Sequence, residues 1–248
     1  MTNIIMSGIN GRMGKAIEEL CKNDETIEII AGIDINLGVP HNFPTVSDPF
    51  EIDGKADCII DFSHHSCAEM LCKYAVETQT PIVFATTGYT DEELEMINKA
   101  SEKVAVFTSA NMSLGVNLII SLAKQAAKIL NGFDIEIIEK HHNQKLDAPS
   151  GTALMIANGI KEERTDSKYV YDRSTVRQKR EKEEIGIHAI RGGTIVGEHD
   201  VLFAGPNEVV TISHSAQSRE VFASGAVSAA KFLTGKASGM YHMEDLIG

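Results

Sequence analysis

The chain has 248 residues, 43% of them hydrophobic, enough for one large domain or two modest ones and too apolar for a disordered or fibrous protein. A formal net charge of −12 excludes the extended basic surface that nucleic acid or acidic lipid would require, while leaving room for a basic pocket inside an acidic shell. The four cysteines, Cys21, Cys58, Cys67 and Cys72, form no Cys-x-x-Cys pair and read as reduced thiols, and no basic leader with a long apolar run opens the chain, so a soluble cytoplasmic protein is expected, with no membrane or nucleic-acid partner.

In chain order, "NIIMSG" reads as a strand, "RMGKAIEELCKN" as a helix and "TIEIIAGID" as a second strand. After a connector at 37–55 come strand "ADCIIDF", helix "SCAEMLCKYAVET", strand "PIVFATTG", helix "TDEELEMINKASE" and strand "VAVFTS". Strands apolar on both faces, separated by amphipathic helices, predict a doubly wound parallel sheet, the α/β class. The pattern then changes. "SLGVNLIISLAKQAAKILNG" reads as one long helix with Ser113 as its cap and Gly132 as its stop, followed by strand "DIEIIEK" and helix "GTALMIANGIKEE". A charge-dense tract from Lys161 to Glu184 offers almost nothing to a core. "IGIHAIR", "TIVG", "EHDVLFAG" and "EVVTISHSA" predict an open, mixed sheet, and the small-residue helix "VFASGAVSAAKFLTGK" must bury its apolar face, for which a return to the first unit is the natural solution. The division expected is 1–112 with 219–248 as a dinucleotide-binding domain and 113–218 as an α+β domain for substrate and oligomerisation.

Between the first strand and helix lies "GINGRMG", a turn in which Gly8 permits the bend, small residues admit a pyrophosphate and the helix N-terminus faces its charge. The strict Gly-x-Gly-x-x-Gly spacing is broken, since Asn10 stands where the middle glycine would be and Gly11 follows. Asp34, twenty residues past Gly14, sits where a carboxylate accepts the ribose hydroxyls. An acid there, followed by Ile35 and not by a cation, favours NADH over NADPH, although Arg12 and Lys15 are within reach of a 2′-phosphate. The strand ends "ATTG" and "SANMS" should open on the same crevice, with Thr86 and Thr87 on the nicotinamide side; turn and cap roles would use the same residues.

"EKHHNQKLDAPSGTA" concentrates His141, His142 and Lys145 after a strand end, then places Ser150 or Gly151 at a helix cap. Helix-start amides of Gly151 and Thr152, the Thr152 hydroxyl and the helix dipole should make a neutral carboxylate trap opposite the full charge of Lys145, so a small organic acid with two carboxylates is the implied ligand. A histidine can supply the proton that a hydride acceptor needs near neutrality. No metal is expected: adjacent histidines diverge, and "HHSCAEMLC" reads as a helix whose apolar side carries Cys67, Met70 and Leu71.

"GINGRMG", "ATTG", "ANMSLGVN" and above all "EKHHNQKLDAPSGTA" together resemble the 4-hydroxy-tetrahydrodipicolinate (dihydrodipicolinate) reductase family over essentially the whole chain. The resemblance implies NAD(P)H-dependent reduction of a cyclic hydroxy-dicarboxylate with loss of water, in lysine and diaminopimelate biosynthesis. It further implies His141 as general acid/base, Lys145 as substrate ligand and proton-donation aid, His142 as a substrate contact, Gly151 and Thr152 as the carboxylate pair, and Arg219 near a hinge over the substrate. Cofactor contacts would come from Gly8, Ile9, Asn10, Gly11, Arg12, Met13, Asp34, Ala85, Thr86, Thr87, Ser109, Ala110, Asn111 and Met112, and the assembly would be a homotetramer. Two residues depart from the family pattern: Ile35 replaces a frequent arginine, and Ala85 replaces the first glycine of "GTTG". The rivals are an oxidoreductase of the same fold acting on another small dicarboxylate or imino acid, and a non-catalytic nucleotide sensor, for which the 139–153 cluster has no use.

Overall fold

A computed structural model describes all 248 residues, which form two compact units, Met1–Leu114 with Glu220–Gly248, and Gly115–Arg219. No helix is long and apolar enough to cross a membrane.

The first unit is a seven-stranded, fully parallel sheet built from β1 (Thr2–Ser7), β2 (Ile27–Ile33), β3 (Thr45–Val46), β4 (Cys58–Asp61), β5 (Ile82–Phe84), β6 (Ala105–Thr108) and, from the far end of the chain, β12 (Gly239–Tyr241). The strand order is β12-β6-β5-β4-β1-β2-β3, so the chain reverses direction across the sheet between β1 and β4. Alternate residues of each strand enter different cores. Ile4, Met6, Ile60, Val83 and Phe107 meet α1 (Arg12–Lys22) and α6 (Glu220–Leu233), whereas Ile5, Ile59, Ile82, Phe84 and Val106 meet α2 (Ala68–Thr78) and α3 (Asp91–Ser101). Burial on both faces is what makes these strands continuously apolar. Helix α6 is rich in Ala and Gly because it lies close to its neighbours: a Cβ on Gly225 would fall 1.6 Å from the Met112 carbonyl oxygen. The short edge strands β3 and β12 were not foreseen, since two or three residues carry no readable period.

The second unit is a five-stranded mixed sheet in the order β11-β10-β7-β9-β8. It comprises β7 (Asp134–His141), β8 (Lys168–Val170), β9 (Glu184–Arg191), β10 (Gly197–Ala204) and β11 (Val209–Ala216), with β7, β8 and β9 mutually parallel and β10 antiparallel to β7 and β11. One face packs on α4 (Leu114–Ile129) and α5 (Gly151–Glu163) through Ile119, Ala123, Ile156, Ile160, Ile137, Val201 and Phe203. Helix α4 begins directly after Ser113, and Gly132, three residues past its end, takes a left-handed φ of 99°.

Two expectations are corrected here. "TIVG" is not a strand of its own; β9 and β10 lie on either side of β7, so residues 192–196 must step over its end, where Gly192 N–H donates to the His141 carbonyl at 2.9 Å. The tract 161–184 is not idle either. It supplies edge strand β8, and two of its arginines close the unit: Arg164 donates to the carbonyls of Ala127, Leu130 and Phe133, and Arg180 binds Asp134, Glu136 and the Ile135 and Glu184 carbonyls. A charge-rich segment here serves the core's rim by hydrogen bonding to backbone, which no hydrophobic pattern reveals.

Candidate active site

In the first unit, the glycine turn is shaped by close approach. Gly8 has φ of +80° and a Cβ there would stand 2.7 Å from the Phe62 carbonyl oxygen; a Cβ on Gly14 would meet the Gly8 and Ile9 carbonyl oxygens at 2.4 Å. Gly11 is the N-cap of α1 and no side chain caps that helix, so its first amides face outward. Asn10 replaces the usual middle glycine for a local reason. Its N–H donates to Asp34 (2.9 Å), its Nδ2 to the Asn36 carbonyl (2.6 Å), and its Oδ1 lies 3.0 Å from His41 Nε2, which ties the turn to the connector after β2.

Gly8, Asn10, Gly11, Asp34 and Ile35 line one cavity of about 470 Å³, together with Ser63 and His64. Asp34 accepts the amides of Asn10 and Asn36, one on each carboxylate oxygen, and so is held in place at the end of β2. A strand-turn-helix with glycines that admit no side chain, free helix-start amides and a fixed acid fits a dinucleotide. Arg12 is exposed, Met13 is half-buried against the core, and the Ile9 side chain is fully buried, leaving only its backbone to face a ligand.

Thr86, Thr87, Ser109 and Ala110 line a second cavity of about 560 Å³ in the same unit, with Phe84, Tyr89, Met240 and His242. Ala85 is nearly buried and donates its amide to the Asp61 carbonyl (3.0 Å); Asn111 accepts the Ser113 amide (2.9 Å), and the Met112 side chain lies in the core. Between the strand ends sits Asp61, which the sequence reading did not single out. Its carboxylate accepts from the Ser63 amide and hydroxyl and from the Thr86 hydroxyl, and burial pushes its pKa up.

In the second unit, β7 alternates strictly, and its buried side carries Ile135, Ile137, Glu139 and His141. An acid and a histidine thus continue an apolar stripe. Glu139 is fully buried. Its Oε2 accepts from His141 Nδ1 (2.6 Å) and Arg191 (2.7 Å), its Oε1 from Arg191 (2.7 Å) and the Ser150 amide (3.0 Å). Burial alone would raise Glu139, but Arg191, His141 and the Ser150 amide more than offset it and leave its carboxyl below the usual range. His141 is lowered by burial, with Glu139 opposing and Lys145 and Arg191 adding to the depression. His141 Nε2 makes no hydrogen bond within the chain, and it faces Gly197, where a Cβ would stand 3.1 Å away. His199, also buried, stacks edge-on to His141 (ring centroids 5.3 Å apart), lies 3.1 Å from the Ser150 hydroxyl through Nε2, and is pushed down to about 4 by burial.

Ser150, not Gly151, is the cap of α5, and its hydroxyl accepts the Ala153 amide at 3.1 Å. Gly151 is exposed with open space where a Cβ would be, and Thr152 is half-buried beside it. Lys145 ion-pairs with Asp147 at 2.8 Å. His142 is half-buried and makes no hydrogen bond through its ring, and Arg219 is exposed at the end of the unit. His141, Lys145 and the 150–152 helix start therefore belong to one strand end and the loop that leaves it. Glu139, Arg191 and His199 were missed; the signal available was an acid in phase with the buried stripe of β7. The alternative metal residues disperse: His65 pairs with Glu93 (2.9 Å), Cys72 lies in the core, and no group of three potential ligands gathers anywhere.

Models of two protein families match the chain: "Dihydrodipicolinate reductase, N-terminus" over residues 2–112 and "Dihydrodipicolinate reductase, C-terminus" over 115–247. The 4-hydroxy-tetrahydrodipicolinate reductase of Caldanaerobacter subterraneus subsp. tengcongensis is 56% identical over 248 residues, covering 100% of this chain and 98% of its own length. That of Clostridium tetani is 48% identical, covering 100% and 97%. Among solved structures, the dipicolinate-bound dihydrodipicolinate reductase of Paenisporosarcina sp. TG-14 is similar with a TM-score of 0.84 at 26% identity, over 98% of this chain and 97% of that one.

Proposed function

The chain belongs to the dihydrodipicolinate reductase family, NAD(P)H-dependent oxidoreductases of lysine and diaminopimelate biosynthesis, and from that premise we propose which of its residues carry the reduction. The substrate is the cyclic dicarboxylate 4-hydroxy-tetrahydrodipicolinate; its hydroxyl leaves as water to give a conjugated imine, one hydride and one proton are taken up, and tetrahydrodipicolinate results. The reduced nicotinamide supplies the hydride.

The single observation carrying the residue roles is the end of β7, where His141 stands beside Lys145 and the start of α5 with Nε2 unbound and Nδ1 on a buried carboxylate. The amides of Gly151 and Thr152, at a helix start, bind one carboxylate of the ring. Lys145 exchanges its partner Asp147 for the other, with His142 and Arg219 as further substrate contacts. His141 then delivers its Nε2 proton to the ring carbon of the aza-enolate left by hydride addition, which discharges the negative charge the hydride brought to the ring.

For the cofactor, Gly8, Asn10, Gly11 and the α1 amides bind the pyrophosphate, and Asp34 the adenosine ribose. NADH is preferred over NADPH, because the fixed carboxylate of Asp34 repels a 2′-phosphate and Ile35, 95% exposed, offers no cation in return. The chain assembles as a homotetramer through the sheet face that α4 and α5 leave open, where Ile138, Ile190 and Leu202 lie. Sedimentation of the purified chain tests this, and a monomer would contradict it.

The activity test is loss of reduced-nicotinamide absorbance with freshly prepared substrate. Turnover with both cofactors and a lower KM for NADH is expected; a preference for NADPH refutes the Asp34 argument. Lys145→Ala should raise KM for the substrate by about tenfold or more and lower kcat as well, since it removes one charged partner of a doubly anionic ligand. A pyridine dicarboxylate such as dipicolinate, the ligand of the Paenisporosarcina relative, is the matching stable probe of the substrate residues.

A further inference from the structure

Glu139 is fully buried, yet four donors converge on its two oxygens: His141 Nδ1, two nitrogens of Arg191 and the Ser150 amide. A buried carboxylate is costly unless paired, and burying this one with a guanidinium and two further donors is an arrangement that a plain apolar residue in phase with Ile135 and Ile137 would not need. Its partners lie on three segments. His141 shares its strand, Arg191 ends β9, and Ser150 starts α5, so one carboxylate fixes a side chain, a strand end and a helix cap together.

We propose that Glu139 is the positioning residue of the proton donor, holding His141 with its proton on Nδ1 and Nε2 turned free, and tying the same carboxylate to the Ser150 amide at the start of the anion-binding helix. This rests on the reading of His141 as the donor. A histidine ring holds one proton when neutral, and the partner of one nitrogen decides which nitrogen carries it. An anionic oxygen at Nδ1 can only accept, which leaves Nε2 as the atom that gains and releases a proton. The other charged or titratable groups near the ring are Arg191, Lys145 with its partner Asp147, and His199; Glu139 is the carboxylate bonded to the ring, and it favours the imidazolium that a donor requires. Arg191 is the reason that charge cannot be replaced by an isosteric amide. Each oxygen of Glu139 already accepts two donors, so a glutamine amide nitrogen, in either orientation, would face donors it cannot accept.

The test reads side-chain nitrogen NMR of the full chain, with the His141 signals assigned by their loss in His141→Gln. In the native protein, neutral His141 should show the proton on Nδ1. In Glu139→Gln its pKa should fall, the alkaline limb of kcat/KM should move to lower pH with it, and kcat should drop about 10²-fold. Glu139→Asp, which keeps the charge, should recover part of the pKa, while cofactor binding stays native in both variants. A native His141 with its proton on Nε2, or a Glu139→Gln protein whose His141 titrates as in the native chain, overturns the inference even if activity is lost. The native spectrum decides the matter should Glu139→Gln fail to fold. Failure of the donor reading has a different signature: His141→Gln would then turn over like the native enzyme whatever the spectra show, and the positioning role falls with it.

Discussion

The two units build their candidate sites from opposite materials. In the first, backbone does most of the shaping: Gly8 and Gly14 leave no room for a Cβ, α1 offers uncapped amides, and the carboxylate at the end of β2, Asp34, is itself held by amides. In the second, charged side chains on the buried stripe of one strand do the work, and backbone enters mainly through the start of α5. The difference matches what the two proposed ligands require. A dinucleotide is bound by shape and diffuse negative charge, whereas a ring that must receive a proton needs a titratable group with a controlled environment. Alterations in the first unit should therefore change binding and packing, and alterations in the second should change protonation and turnover.

The largest break between them should come from His141→Gln, for which kcat should fall by about 10² to 10⁴-fold while titration with NADH gives a native affinity. Equal loss of cofactor binding would erase the distinction. Next comes acid stability. His199 is pushed down to about 4 against about 6.5 for an unperturbed histidine, so the unfolded chain takes up this proton first. The associated stability is fully present above pH about 6.5 and is lost as pH falls toward about 4, on the order of 3 kcal/mol in total, with the depressed His141 acting in the same direction. Denaturant melts across that range should show the slope, and His199→Gln should flatten it; an unchanged slope would remove His199 from the account.

Gly14→Ala sharpens the other side. Its Cβ would meet two carbonyl oxygens at 2.4 Å, so a cost of about 1–3 kcal/mol in unfolding free energy is expected together with weaker NADH binding. The pKa of His141 should not move, which the same nitrogen spectra can verify. The smallest effect belongs to Ile35→Arg, expected to improve kcat/KM for NADPH several-fold with little change for NADH, because an exposed cation beside Asp34 offsets part of the repulsion.

Much of this was readable beforehand because it follows from periodicity and stereochemistry. Strands buried on both faces look continuously apolar, which exposed the parallel sheet, and a glycine where only glycine fits marks its own turn. His141, Lys145 and the Ser-Gly-Thr start lie within one short stretch, so chain neighbourhood alone suggested a common site. What stayed hidden depends on partners distant in sequence. Arg191 lies 52 residues from Glu139, and His199 lies 49 from Ser150, so neither network has a local signature. The same holds for Arg164 and Arg180, which sit in a charge-dense tract and bind carbonyls and carboxylates that lie far away in the sequence. Edge strands β3 and β12 escaped because pairing with a neighbour, and not their own pattern, makes them strands.

The most direct test is a crystal structure of this chain with a pyridine dicarboxylate bound. One carboxylate should lie on the amides of Gly151 and Thr152, the other within hydrogen-bond reach of Lys145, and the ring should face His141 Nε2 while Nδ1 stays on Glu139. A ligand seated away from Lys145 and the start of α5, or a His141 ring turned so that Nε2 meets Glu139, would contradict the proton-transfer account outright.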